Sequence, residues 1–218
     1  IISRYAVITN IEKEHMEHYK KMENLLKAFK DFIGNIPTDG VLFYNKKDRY
    51  LQKLSKHCRG RRVSFGISSK DCDIYAKSIV ERGFGVRFKC YARGKKLGEV
   101  VLNVPGRHNV YNALAAIAVA LEFGVSFAKI KSIIPKFHGV KRRFEVKSRT
   151  NKMIIVEDYA HHPTEIKSVI NIASGLKRNR IIAVFQPHRF TRTMYLGKEF
   201  ARAFKGVDEL LLTNIYAA

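Results

Sequence analysis

Nowhere in the 218 residues do about 18 uncharged apolar residues follow one another, which leaves no candidate for a membrane-spanning helix. The stretch Ile1 to Thr9 also lacks the charged start and long apolar run of a signal peptide, so no membrane targeting is expected. Cysteine is scarce: Cys58, Cys72 and Cys90 are widely spaced and form no CxxC pair. That argues against a zinc or redox motif and fits plain thiols in a reducing cytoplasm. No internal repeat, low-complexity segment or GxxxxGK[ST] phosphate loop occurs. Acidic residues are few, 19 against 41 Lys and Arg, giving a formal charge of +22. Such an excess suits an anionic partner: nucleic acid, a membrane surface or a phosphorylated substrate. The basic residues are scattered over nearly every segment, however, with no RNP motif, zinc finger or convincing helix-turn-helix, so nucleic acid is not the expected partner. Drift toward a basic solvated surface accounts for the charge as well as a functional cause does.

What is present points to a globular α/β chain, with 46% apolar residues available for a core. Leu25, Leu26, Phe29, Phe32 and Ile33 mark one amphipathic helix, and Val110, Ala113, Leu114, Ile117, Ala118 and Leu121 a stronger one that Gly124 should stop. Two more carry Ile166, Val169, Ile170 and Ala173, then Leu196, Phe200, Ala203 and Phe204. Short apolar runs at Val41 to Tyr44, Val63 to Ile67, Met153 to Val156, Ile181 to Phe185 and Leu210 to Leu212 read as buried strands. From Met153 onward the alternation predicts parallel βαβαβ units, which bind ligands at the carboxyl ends of their strands. Asp73 to Val80, Val86 to Ala92 and Leu97 to Leu102 predict a small β meander inserted in an α/β domain, and the basic loop Gly139 to Arg143 a domain boundary.

Four clusters carry possible chemistry. Thr9 to His18 sets Glu12, Glu14 and Glu17 among His15 and His18, where oxygens suit magnesium better than zinc; a solvated charged turn is the competing reading. Gly106 to Asn112 places His108, Asn109 and Asn112 at the start of the strongest helix, able to meet a purine edge or simply to cap. Gly139 to Phe144 brings Arg142 and Arg143 to the boundary, as phosphate contacts or as a solvated linker. Glu157 to Glu165 and Gln186 to Thr193 each follow a predicted strand and precede a predicted helix, so their His and Arg residues should converge on one sheet edge.

The segments Leu102 to Asn109, Asp158 to Glu165 and Phe185 to Thr193 together resemble the Mur ligases, over nearly the whole chain. Within the family they resemble the branch that joins L-alanine to UDP-N-acetylmuramate; a tripeptide-recycling branch shares the His-Pro-Thr segment but differs at Gln186 to Thr193. The resemblance implies a UDP-binding domain, a central ATPase domain and a C-terminal Rossmann-like domain in the intact enzyme. It places residues 1–142 in the central domain, after its phosphate loop, and 143–218 in an incomplete C-terminal one. A fragment without turnover of its own is therefore expected. The implied reaction uses ATP and magnesium to convert a carboxylate into an acyl phosphate, which the amine of L-alanine then attacks. Carried over by position, the resemblance gives Glu12 to magnesium; His108, Asn109 and Asn112 to adenine; Arg143 to the ATP phosphates; and Asp158 to the ribose. It gathers Tyr159, His161, His188, Arg189 and Arg192 at the muramoyl and alanine end, with Arg143, His161 and His188 nearest the chemistry. Two positions depart from the family pattern: Gly34 stands where some relatives carry a second metal-ligating His, and Lys46-Lys47 fall where paired aspartates are common.

Overall fold

The computed structural model describes residues 2–68, 70–176 and 179–217. It divides into two compact units, one of Ile1–Val80, Val86–Leu102 and Arg107–Lys136, the other of Glu81–Gly85, Asn103–Gly106 and Phe137–Ala218.

The first unit is built on a sheet in which β1 (Tyr5–Ile8), β2 (Val41–Asn45), β3 (Arg61–Ile67), β4 (Ile74–Arg82), β5 (Gly85–Ala92) and β6 (Lys95–Leu102) lie in chain order. Strands β1 to β4 pair in parallel, with Tyr5 opposite Val41 and Val41 opposite Arg61. Strand β2 reads Val-Leu-Phe-Tyr because it is covered on both faces, as parallel strands are. Leu42 joins Ala6, Ile8, Leu25, Ile33 and Leu51 in a cluster with α2 (Met22–Gly34) and α3 (Arg49–Leu54), while alternation turns Val41 and Phe43 the other way. Helix α4 (Arg107–Glu122) touches β2 and β3 and buries Val110, Leu114 and Ile117, each worth about 1.5 to 3 kcal/mol by apolar burial. Gly124, at φ 76°, ends it as expected. Short helices α1 (Met16–Tyr19) and α5 (Phe127–Ile133) complete the unit. The meander appears where periodicity puts it, but as an extension of the main sheet. A reciprocal pair makes that junction: Asp73 accepts from the Ser64 hydroxyl at 2.6 Å, and the Asp73 amide donates back to Ser64 at 3.0 Å.

In the second unit β7 (Glu145–Arg149) pairs antiparallel with β8 (Ile154–Glu157), and β9 (Ile182–Phe185) pairs in parallel with β10 (Glu209–Leu212). Helices α6 (Pro163–Gly175) and α8 (Gly197–Ala203), with Leu196 at the junction of α8 and the short α7 (Phe190–Tyr195), bury Ile166, Ile170, Leu196, Phe200 and Ala203 around Phe185. Two expectations need correcting. Strand β8 is not laddered to β9 among the described residues; its partner is β7, whose exposed Glu-Val-Lys-Ser-Arg sequence carries no apolar signal. The segment Gln186 to Thr193, expected to precede the last helix, already enters a short helix of its own, α7, which is separate from the expected one, α8, because Leu196 leaves helical geometry (φ −114°, ψ 20°) just before Gly197.

Candidate functional site

In the first unit the segments after β1 and β2 are tied together by Asp48. Its Oδ2 accepts the Ile11 amide at 2.9 Å, while Oδ1 accepts the amides of Tyr50 and Leu51 at 2.8 and 2.9 Å and so starts α3. Glu12 follows directly, its Oε1 taking a bond from the Asn10 amide group at 2.8 Å. Thr9, Asn10 and Glu12 are hard oxygen donors, the chemistry magnesium prefers, although no group of three or more His, Cys, Asp or Glu is placed to hold a metal among the described residues. One carboxylate is enough for magnesium that is otherwise held by phosphates and water. Nothing lies within 4 Å of a Cβ built on Gly34, whose carbonyl accepts from Arg59, so a larger side chain would fit there. Lys46 and Lys47, with Arg49, Gln52 and Asp71, line a recess of ≈ 220 Å³ next to Asp48.

His108, Asn109 and Asn112, expected at the start of the strongest helix, lie inside the first two turns of that helix, α4, on one face. The Asn112 side-chain amide donates to the Asn109 carbonyl at 3.2 Å, and His108 is exposed. Glu12 belongs to the same unit as these three, and the remaining candidates belong to the second.

The second unit brings its candidates together. Four rings form a row: Tyr159 to His161 at 5.0 Å between centroids, His161 to His188 at 6.0 Å, and His188 to Tyr216 at 5.5 Å. His161 Nδ1 sits 2.8 Å from the Tyr159 carbonyl, which can only accept, so Nδ1 carries the proton and Nε2 has the free lone pair. His188 is the opposite tautomer, because Arg192 donates to its Nδ1 at 3.2 Å and leaves Nε2 protonated. One imidazole can accept a proton and the other can donate a hydrogen bond. Arg192 also reaches the His188 carbonyl at 3.2 Å. Asp158 accepts the amides of Phe144 and Ala160, both at 2.7 Å, fixing the chain beside Arg143 and Tyr159. Arg143 reaches Glu165 at 3.2 Å. Arg189 occupies φ 71°, ψ 130°, an unfavourable backbone for a residue with a side chain, held by its amide bond to the Tyr216 carbonyl at 2.8 Å.

Burial, then the charges of Arg192, His161 and Arg189, hold the His188 imidazole below its ordinary value. A histidine depressed in the folded state takes up protons more readily when unfolded. Its stabilising contribution is therefore complete above about pH 6.5 and is lost as pH falls through the window below. Following His188 by NMR titration should give a midpoint below that of an exposed histidine, and Arg192→Ala should raise it. An ordinary midpoint that ignores Arg192 would contradict the arrangement.

Sequence reasoning gave no role to Asp48, Glu165 or Tyr216, and offered Arg142 only as a phosphate contact or part of a solvated linker. Arg142 lies over the Tyr159 ring at 5.1 Å and pairs with Glu157 at 2.9 Å. Asp48 had a usable signal, a helix-capping type three residues before Leu51.

The family model described as Mur ligase middle domain matches residues 3–120, and that described as Mur ligase, glutamate ligase domain matches 142–217. The chain belongs to the Mur ligase family, whose enzymes are ATP-dependent. It is similar to the UDP-N-acetylmuramate–L-alanine ligase of Aquifex aeolicus, 42% identical over 218 residues, covering 98% of this chain and 47% of that protein. The enzyme of that name from Clostridium acetobutylicum is 41% identical over 213 residues, covering 98% and 46%. The crystal structure of UDP-N-acetylmuramate-alanine ligase MurC from Thermotoga maritima superposes with a TM-score of 0.79 at 28% identity, over 99% of this chain and 46% of that one. The chain thus spans about half the length of the curated relatives it matches.

Proposed function

We propose that this chain serves as the nucleotide-facing and substrate-closing part of a UDP-N-acetylmuramate:L-alanine ligase in bacterial peptidoglycan synthesis, working in the cytoplasm. The observation that carries this reading is the His161–His188–Arg192 cluster in a chain 41–42% identical to such ligases over 98% of its length. The reaction is ATP-dependent ligation: the muramoyl carboxylate becomes an acyl phosphate, L-alanine attacks it, and phosphate leaves with ADP as the other product. Residues 1–142 are assigned to the central domain and 143–218 to the C-terminal one.

In this reading Glu12 holds magnesium, which when bound offsets charge on the phosphates. His108, Asn109 and Asn112 meet the adenine from the face of α4 they share, and Arg143 meets the phosphates. Asp158 takes the ribose; each of its oxygens already accepts one amide, and a carboxylate has room for further donors. Tyr159, Arg189 and Arg192 bind around the carboxylates, where guanidinium suits paired hydrogen bonds. The lone pair on His161 Nε2 accepts a proton from the incoming amine, and His188 Nε2–H donates toward developing negative charge.

The test is ADP formation by the full reading frame containing this sequence, with UDP-N-acetylmuramate, magnesium, and L-alanine or murein tripeptide as amine. Release that requires L-alanine is expected. Release only with the tripeptide would move the protein to the recycling branch, and none with either amine would end the catalytic reading.

A further inference from the structure

Glu165 divides two tasks between its two oxygens. It stands at the third position of α6, where its Oε2 accepts the His162 amide at 3.3 Å and the His161 amide at 3.0 Å; His162 in turn caps the helix by accepting from Thr164 at 3.3 Å. Helix initiation uses that oxygen alone. The other, Oε1, takes the Arg143 guanidinium at 3.2 Å, and His161 Nδ1 stands 3.7 Å from Oε2. A single half-buried carboxylate therefore sits between the arginine from the loop before β7 and the histidine from the loop after β8.

We infer that Glu165 is a positioning residue that holds Arg143 and His161 in fixed relation, an inference resting on the reading under Proposed function. Arg143 is half exposed, and an ion pair so open to water contributes little to folding. What it does contribute is geometry. When Oε1 no longer accepts, the guanidinium of a long flexible side chain is free to leave the direction in which it meets phosphate, whereas the His161 amide stays fixed as long as Oε2 accepts it. Burial tends to raise the Glu165 carboxyl, but the His161 amide and the charges of His161 and Arg143 outweigh it and keep the group below the usual carboxylate range, ionised wherever the enzyme works.

Glu165→Gln separates the tasks. An amide oxygen can still accept the two backbone amides, but the amide nitrogen presents hydrogens to Arg143 and repels it. In the full reading frame, Glu165→Gln should lower kcat/KM for ATP about tenfold, the scale of one charge-assisted hydrogen bond, with the thermal midpoint almost unmoved. Adding Glu165→Gln to Arg143→Ala should cause no further loss. Full activity, a loss additive with Arg143→Ala, or a loss matched by a falling midpoint would each overturn the inference. The ion pair is read separately in this chain by NMR. The Arg143 Nε–H signal should be sharp in the parent and exchange-broadened in Glu165→Gln, and no change would overturn the inference. Should the parent enzyme form no ADP with L-alanine, the functional reading fails while this NMR comparison still decides whether Glu165 orders Arg143.

Discussion

Asp48→Ala is expected to destabilise the first unit by about 3 kcal/mol, read as a lower urea midpoint. The side chain accepts three backbone amides, from Ile11, Tyr50 and Leu51. Loss of the α3 cap alone costs about 1 kcal/mol in typical cases. The Ile11 amide adds to this, because Ile11 is buried and its N–H loses a charged partner. Asn retains one carbonyl oxygen and is a good N-cap, so Asp48→Asn should lie between parent and Ala. If Glu12 holds magnesium in the full-length enzyme, the Ala variant should also need more of it, since Glu12 is the residue after the one Asp48 holds. A midpoint moved by no more than an ordinary surface change, about 0.5 kcal/mol, would mean that the three amides find other partners.

Asp48 also shows where sequence reading stopped. The helices α2, α4 and α6 and the strands β2 and β3 were legible because burial imposes a pattern on apolar residues, whereas β9 and β10 form at apolar runs expected to be buried but leave most of those side chains exposed. Strand β7 and the short helix α3 were not. The first has an exposed polar sequence, and the second is held chiefly by a single capping carboxylate. The Asn45 to Asp48 stretch drew notice for its missing aspartate pair, yet its remaining aspartate organises the strand ends. In the second unit the loops after β8 and β9 bring His161, His188 and Arg192 together, as expected, although the two strands are not laddered to each other among the described residues. Tautomers and the two tasks of Glu165 depend on distances to backbone carbonyls and amides some residues away, which no residue pattern encodes.

The same device recurs in the second unit, where it yields the other large expected effect. Asp158→Ala removes acceptors from the Phe144 and Ala160 amides, each bound at 2.7 Å. Phe144 is 8% exposed and holds φ 48°, so its amide has little water to turn to and its backbone is strained without the bond. The expected loss is about 3 kcal/mol for this unit, measured by urea unfolding. Asp158→Asn distinguishes bracing from nucleotide contact. Its carbonyl can serve only one of the two amides well, so stability should fall part of the way. If Asp158 also meets the ribose, the KM for ATP should rise more in Asp158→Asn than in a stability-matched variant such as Ile170→Val, which trims the α6 core. Equal KM values in the two variants would confine Asp158 to bracing and leave ribose recognition to another residue. Unchanged stability in Asp158→Ala would instead show that the loop carrying Arg143 is held by the Tyr159 amide, which donates to the Arg142 carbonyl at 2.7 Å, and not by the carboxylate.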